Sequence, residues 1–156
     1  MKKEVLILGV GNDILTDDGI GIKLSREMQQ RLKYDNIFYD TACLGGLEIL
    51  EYIKGYKTVI LIDAIKTEGG IPGTVYYFTP ADFKETSNLS NIHDVSFLKA
   101  LEIGKALNME VPESIHIIAV EIVEDLTFSE EFTPEVQAKY PEAILKTQEL
   151  IEDILG

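Results

Sequence analysis

The chain contains very little cysteine, tryptophan or histidine: its 156 residues include one Cys, no Trp and two His. A single cysteine cannot form an internal disulfide, which excludes the cross-linked scaffolds of small secreted proteins. Basic side chains are also scarce, with 14 Lys and Arg against 27 Asp and Glu, and the net charge is −13. Because nucleic-acid affinity depends on clustered Lys and Arg, we expect no nucleic-acid partner.

Long apolar runs are absent as well. No stretch approaches the roughly 20 apolar residues that a membrane span requires. The chain begins like a signal peptide, but Gly9 and Gly11 interrupt its short apolar run. We therefore expect a cytoplasmic protein without membrane insertion. The length suits a single domain over residues 1–156, and a monomer is the default expectation.

Apolar runs alternate with amphipathic segments along the chain. The pattern predicts strands near 4–10, 36–41, 57–62, 74–79 and 115–120, and helices near 18–32, 46–54, 94–107 and 134–155. The stretch 64–73 is rich in Gly and lacks a helical pattern, so the strand after it is expected to be antiparallel, at a sheet edge. Residues 80–92 and 121–133 are predicted to be loops. The expected fold is α/β: one three-layer domain with a five-stranded, twisted, mostly parallel sheet, one antiparallel edge strand and helices on both faces.

The order of the first three strands predicts where a ligand would bind. Right-handed crossovers place the second and third strands on opposite sides of the first in a doubly wound sheet. Ligands of such sheets bind outside the carboxyl ends of the strands at this switch point. Asp18 follows the first strand and Asp63 is predicted to end the third. We therefore expect both carboxylates to face one crevice.

The segment Gly9-Val-Gly-Asn-Asp-Ile-Leu-Thr-Asp-Asp-Gly-Ile-Gly21 forms the turn after the first strand. Its glycines suggest a dinucleotide-binding turn, but Ile14 stands where the third glycine of G-x-G-x-x-G belongs. Asp17 and Asp18 would also repel a pyrophosphate at the helix N-terminus. A nucleotide-binding module, with Asp40 as a ribose ligand, remains an alternative. Asp17 is predicted to cap the helix. Asp18 is then either a second acid that stabilises the helix dipole or a functional acid.

The two histidines have different surroundings. His116 lies within an apolar run, where a core or edge histidine is expected. His93 lies in a polar segment before a helix, where it is either a surface or cap residue or a ligand. If His93 meets Asp18 and Asp63, the three form a site for a divalent ion such as nickel or zinc, able to polarise a carbonyl or activate water. Cys43, with no adjacent histidine, is expected to be a buried, inert thiol.

The order of these motifs closely resembles the [NiFe]-hydrogenase maturation endopeptidases. The resemblance covers nearly the whole chain and rests on the Gly9–Gly21 segment, Gly46-Leu-Glu-Ile-Leu50, Leu61-Ile-Asp-Ala-Ile65, Pro72-Gly-Thr74, His93 and Thr133-Pro-Glu-Val136. The chain departs from the family at Thr41-Ala-Cys-Leu-Gly-Gly46, where a Gly-Gly-Thr or Gly-Thr pattern is usual. That departure leaves the identity of the partner hydrogenase open.

The resemblance implies an activity, a partner and a set of site residues. These endopeptidases remove a short C-terminal extension from the hydrogenase large-subunit precursor after nickel insertion. Nickel already held by the substrate serves as the recognition element, and the protease residues that contact it correspond to Asp18, Asp63 and His93. The same three residues are the expected catalytic set, and zinc or cadmium could occupy their site.

Other functions remain compatible with the residues. A noncatalytic nickel chaperone would use the same three side chains without cutting the precursor. A general metallopeptidase would cleave unrelated unfolded proteins, whereas a maturation enzyme should require the nickel-loaded precursor. The sequence does not decide whether a carboxylate or the metal activates the water.

Overall fold

The computed structural model describes residues 3–43, 48–85 and 92–156, with the backbone alone at 3, 83–85 and 92–98. Its strands are β1 (Lys3–Val10), β2 (Ile37–Ala42), β3 (Tyr56–Ile65), β4 (Val75–Phe78) and β5 (Ser114–Glu121). Its helices are α1 (Ile20–Arg31), α2 (Ile49–Ile53), α3 (Pro80–Glu85), α4 (Ile92–Ala106) and α5 (Pro134–Leu155). A 3₁₀ turn, Thr16–Gly19, precedes α1. Among the described residues, no helix is long and apolar enough to cross a bilayer.

The strands form one five-stranded sheet in the order β2-β1-β3-β5-β4. All neighbouring pairs are parallel except β4 and β5, and β4 is the antiparallel edge strand. The register places Gly9 beside Ile62 and Asp63 beside Ala119. The predicted α/β fold, with its switch point between the first and third strands, is confirmed.

Each face of the sheet carries its own apolar core, as expected for a three-layer fold. One core joins alternate residues of β1, β3 and β5 to α1 and α5. The other core joins the intervening residues, including Leu61, to α2 and α4. Because β3 is buried on both faces, it forms a nearly continuous apolar run from Val59 to Ile65 that Asp63 interrupts.

Three predicted boundaries were wrong. The third strand does not end at Asp63 but continues to Ile65, because Ala64 and Ile65 still pair with β5. The predicted loop 80–92 begins with α3, in which Asp82 accepts a hydrogen bond from the Thr79 amide across the first turn. The predicted helix 18–32 is a 3₁₀ turn followed by α1.

Glycine allows α1 to lie unusually close to the sheet. A Cβ atom built on Gly21 would lie 2.2 Å from the carbonyl oxygen of Ile62 and 2.6 Å from that of Val10. Both neighbours are backbone atoms of central strands, so neither can move alone. The glycine therefore determines how near the helix start approaches the ends of β1 and β3.

We predict that Gly21→Ala destabilises the fold by about 3 kcal/mol, because the new methyl group overlaps backbone atoms that cannot shift separately. Gly104→Ala is the matched control, since Gly104 is also a buried helical glycine. Its added methyl would meet only side-chain atoms of Leu50 and Val111, at 3.3 Å. Urea unfolding should show a large loss for Gly21→Ala and a change of no more than about 1 kcal/mol for Gly104→Ala. Equal losses would contradict this account of the close approach.

Candidate functional site

Asp18 lies in the 3₁₀ turn that follows β1, and its side chain is only 7% exposed. Its Oδ2 atom accepts a hydrogen bond from the Asn12 amide at 2.9 Å. Gly11 makes this tight turn possible: it has a φ of 148°, and a Cβ atom there would lie 2.1 Å from the Asp18 carbonyl oxygen. The carboxylate of Asp18 is thus held against the end of β1.

Asp63 lies within β3 and is 6% exposed. Its Oδ1 atom accepts a hydrogen bond from the Ala64 amide at 2.8 Å. Side chains alternate between the two faces of a strand, so Asp63 shares the face of Leu61, which packs with α2 and α4. Burying a carboxylate is costly without polar partners or a bound ion, so this position is unusual for an acid.

The fold brings these two acids to neighbouring strand ends. The 3₁₀ turn that carries Asp18 packs against β3, with Cα atoms of the two elements within 8 Å. Gly9 pairs with Ile62, so the chain leaves β1 at the level of Asp63. The two acids therefore lie near the carboxyl ends of the neighbouring strands β1 and β3, and their meeting in one crevice at the switch point stays a prediction.

The third predicted ligand, His93, is the second residue of α4. Near its end, α4 approaches Leu50 and Val111 through Gly104, and the chain then enters the amino end of β5. The helix therefore begins toward the carboxyl ends of the strands, on the same sheet face as Asp63. The side chain of His93 lies outside the described residues, so its meeting with the two acids stays a prediction.

The described side chains alone do not form a metal site. Among them, no three His, Cys, Asp or Glu residues form a group that could hold a metal ion. The predicted set also includes His93, whose side chain lies outside the described residues. A metal site formed by Asp18, Asp63 and His93 therefore stays a prediction.

Three backbone amides of the turn after β1 already donate hydrogen bonds within the protein, which leaves fewer amides for a phosphate. The Gly11 amide donates to the Ala42 carbonyl, the Asn12 amide to Asp18 and the Ile14 amide to the Asn12 side chain. A nucleotide-binding turn instead points such amides at the ligand. The nucleotide alternative is correspondingly weakened.

Asp17 does not cap the helix, and that prediction was wrong. Gly19 is the N-cap of α1, without a side-chain hydrogen bond. The fully buried Asp17 carboxylate accepts hydrogen bonds from the amides of Val123, Glu124 and Thr133, and from the Thr133 hydroxyl, at 2.8–3.1 Å. It therefore ties the turn after β1 to the loop 122–133 and to the start of α5.

Glu121 is a buried carboxylate that the sequence reasoning missed. It ends β5 and is 2% exposed. Its oxygens accept hydrogen bonds from the amide and hydroxyl of Thr67 and from the Tyr76 hydroxyl. Burial, and next the hydrogen bond to Glu121, raise the pKa of Tyr76. An acid closing an apolar run, the pattern that singled out Asp63, could also have identified Glu121.

The two remaining candidates from the sequence are His116 and Cys43. The expectation of a core or edge histidine is met only in part: His116 lies on β5, an inner strand, and its two ring nitrogens lie 2.6 Å from the Tyr77 hydroxyl and 2.8 Å from the Ser114 hydroxyl. Cys43, predicted to be buried, is exposed, because it follows the last residue of β2 rather than lying within it.

Comparisons with known proteins indicate one protein family. A family model described as a hydrogenase maturation protease matches residues 41–149. The chain is 28% identical to the hydrogenase 2 maturation protease of Escherichia coli, over 90% of this chain and 85% of that protein. It is 33% identical to protein FrxA of Pyrococcus furiosus, over 82% of this chain and 90% of that protein.

Solved structures agree with the sequence relatives. The hydrogenase maturating endopeptidase HybD from E. coli matches with a TM-score of 0.77 and 26% identity, covering 96% of this chain and 93% of that one. The [NiFe] hydrogenase maturation protease HybD from Thermococcus kodakarensis matches with a TM-score of 0.70 and 24% identity, covering 94% and 98%. The second match supports the fold alone.

We predict that Asp17→Asn destabilises the protein by about 1–3 kcal/mol. The substitution replaces one carboxylate oxygen by an amide nitrogen, which cannot accept a hydrogen bond. A buried donor that now bonds to that oxygen would lose its acceptor. Hydrogen exchange should speed up at the amides of residues 123, 124 and 133. Asp13→Asn is the control on the same turn: this acid is 42% exposed and pairs with Arg26 at 3.4 Å, so its loss should cost less than about 1 kcal/mol. Unchanged exchange in Asp17→Asn would contradict the tying role.

Burial lowers the pKa of His116 below its ordinary value of 6.5. The unfolded chain then binds more protons than the folded one below pH 6.5, so the contribution of His116 to stability is full above that pH. It is lost as the pH falls through the lowered value. We expect His116→Gln to flatten the dependence of the unfolding free energy on pH below pH 6.5, measured by urea titrations against the parent protein. An identical pH dependence in both proteins would refute this.

Proposed function

The chain belongs to the hydrogenase maturation protease family, and we propose that it removes the C-terminal extension of a [NiFe]-hydrogenase large-subunit precursor after nickel insertion. The observation that carries this proposal is the pair of buried acids, Asp18 and Asp63, near the carboxyl ends of the neighbouring strands β1 and β3. The protein substrate is the large-subunit precursor, and the reaction is hydrolysis of one peptide bond.

Nickel enters this proposal as part of the substrate. Asp18, Asp63 and His93 contact the nickel that the precursor already holds, and this contact places the tail for cleavage. Two carboxylates and one imidazole are ligands that borderline divalent ions accept, and they leave coordination positions for the groups of the substrate. The buried acids support this role, because a cation offsets the cost of keeping them away from water.

Hydrolysis needs a group that takes a proton from water and one that gives a proton to the leaving amine. The water oxygen bonds to the carbonyl carbon, and the carbon–nitrogen bond breaks. Asp18 and Asp63 are the carboxylates of the crevice that can exchange these protons, and a nearby cation would help by polarising the carbonyl. The acid that takes a proton from water must be ionised, and the acid that gives a proton to the leaving amine must be protonated.

We expect Asp18→Asn, Asp63→Asn and His93→Gln each to slow processing of the nickel-loaded precursor by at least about 100-fold. The controls are matched by residue type: Asp13→Asn on the same turn and His116→Gln on β5. Cleavage is followed by mass spectrometry of the released tail, and folding by circular dichroism. Full activity in any of the three variants would remove that residue from the proposed site.

Nickel removal provides a separate prediction. A precursor prepared without nickel should keep its tail, because the three ligands would have no ion to engage. Restoring nickel to the same precursor should restore cleavage, and added zinc or cadmium should inhibit by occupying the ligands. Efficient cleavage of the nickel-free precursor, or of unrelated unfolded proteins, would indicate a general peptidase instead.

An uncut precursor that still binds the protein through these residues would indicate a nickel chaperone. The sequence also predicts a monomer that acts in the cytoplasm. Sedimentation of the purified protein and fractionation of cells test these two points.

A further inference from the structure

Four large apolar side chains lie exposed on two neighbouring segments, and we call them the apolar rim. Leu126 is 81% exposed, Phe128 78%, Ile14 45% and Val123 41%. Ile14 belongs to the turn after β1, and the other three to the loop 122–133. Exposed apolar clusters of this kind are typical of protein interaction sites.

The backbone that carries the apolar rim is firmly held. The Ser129 amide donates to the Ile14 carbonyl, and the Thr16 amide donates to the Ser129 carbonyl. The Glu124 carboxylate accepts hydrogen bonds from the amides of Leu126 and Thr127 at 2.8 and 3.0 Å. A surface already fixed in this way loses little conformational entropy when a partner binds.

Two contacts attach the same loop to the chain segments that carry the crevice acids. Asp17, directly before Asp18, holds the amides of Val123 and Glu124. Lys66, three residues after Asp63, pairs with Asp125 at 2.7 Å. The loop that carries most of the apolar rim is therefore tied both to the turn of Asp18 and to the chain just after β3.

Charge around the apolar rim limits the kind of partner. Glu130 and Glu131 are exposed beside it, and the chain as a whole carries a net charge of −13. We propose that the apolar rim docks the protein substrate of the crevice through an apolar segment flanked by basic side chains. This inference rests on the proposed function. It identifies a surface that recognises the folded precursor independently of the contact with nickel.

The test is the double substitution Leu126→Ser with Phe128→Ser, which removes the two most exposed members. Steady-state processing and direct binding of the nickel-loaded precursor are both measured. We expect KM and the dissociation constant to rise by at least about tenfold, with kcat within twofold, because the contact is made equally in the ground and transition states. Binding should also weaken as salt concentration rises.

The matched control is Leu107→Ser with Leu145→Ser. These leucines are 67% and 63% exposed and lie beyond the end of α4 and on α5. Both double variants should keep the parent melting temperature, since each removes only exposed side chains. The control should process the precursor with unchanged KM.

The outcomes separate the docking surface from the proposed function. Normal cleavage with unchanged KM in the rim variant would refute docking and leave the protease intact. Precursor binding that depends on the rim but is never followed by cleavage would support docking and refute the protease. An unchanged KM together with loss of a dimer in sedimentation would show that a second copy of this chain occupies the rim, which also refutes the proposal.

Discussion

The buried carboxylate of Asp17 is the contact on which the arrangement of the crevice depends. It has no exposure to solvent and is surrounded by hydrogen-bond donors from the loop 122–133 and from Thr133 at the start of α5. Hydrogen bonds to a charged group in the interior are stronger than those between neutral groups. Asp17 therefore joins the turn after β1 to a segment more than 100 residues away in sequence, and it fixes the turn from which Asp18 projects.

The glycines of the opening segment work with this contact. Gly21 brings the start of α1 against the carbonyls of Val10 and Ile62, and a Cβ atom on Gly9 would lie 2.4 Å from the Gly21 carbonyl. In a nucleotide-binding turn, glycines let the backbone approach a pyrophosphate. Here they let backbone segments approach one another, and the amides of the turn are used within the protein. A similar glycine pattern thus produces close helix–sheet packing beside a pair of acids.

The sheet could be predicted from sequence because its strands are continuous apolar runs, and such runs indicate burial on both faces. That Asp63 lies near the carboxyl end of the third strand could also be predicted, although the strand continues to Ile65. The role of Asp17 could not be predicted, since its donors lie more than 100 residues away and helix starts commonly carry an acid. Burial of Cys43 was expected because free cysteines are commonly buried, but this residue follows the last residue of β2 and is exposed.

A pair of buried acids also has a consequence for specificity. Two carboxylates in one crevice repel the carbonyl oxygens of a passing peptide, and in a site sheltered from water this repulsion is only weakly screened. A tail that arrives with a bound divalent cation brings the opposite charge, so the same acids then attract it. Under the proposed function, discrimination between loaded and unloaded precursor would thus arise from electrostatics already present in the empty crevice. The apolar rim would add affinity for the folded precursor without altering that discrimination, because its contacts are the same whether or not the cation is present.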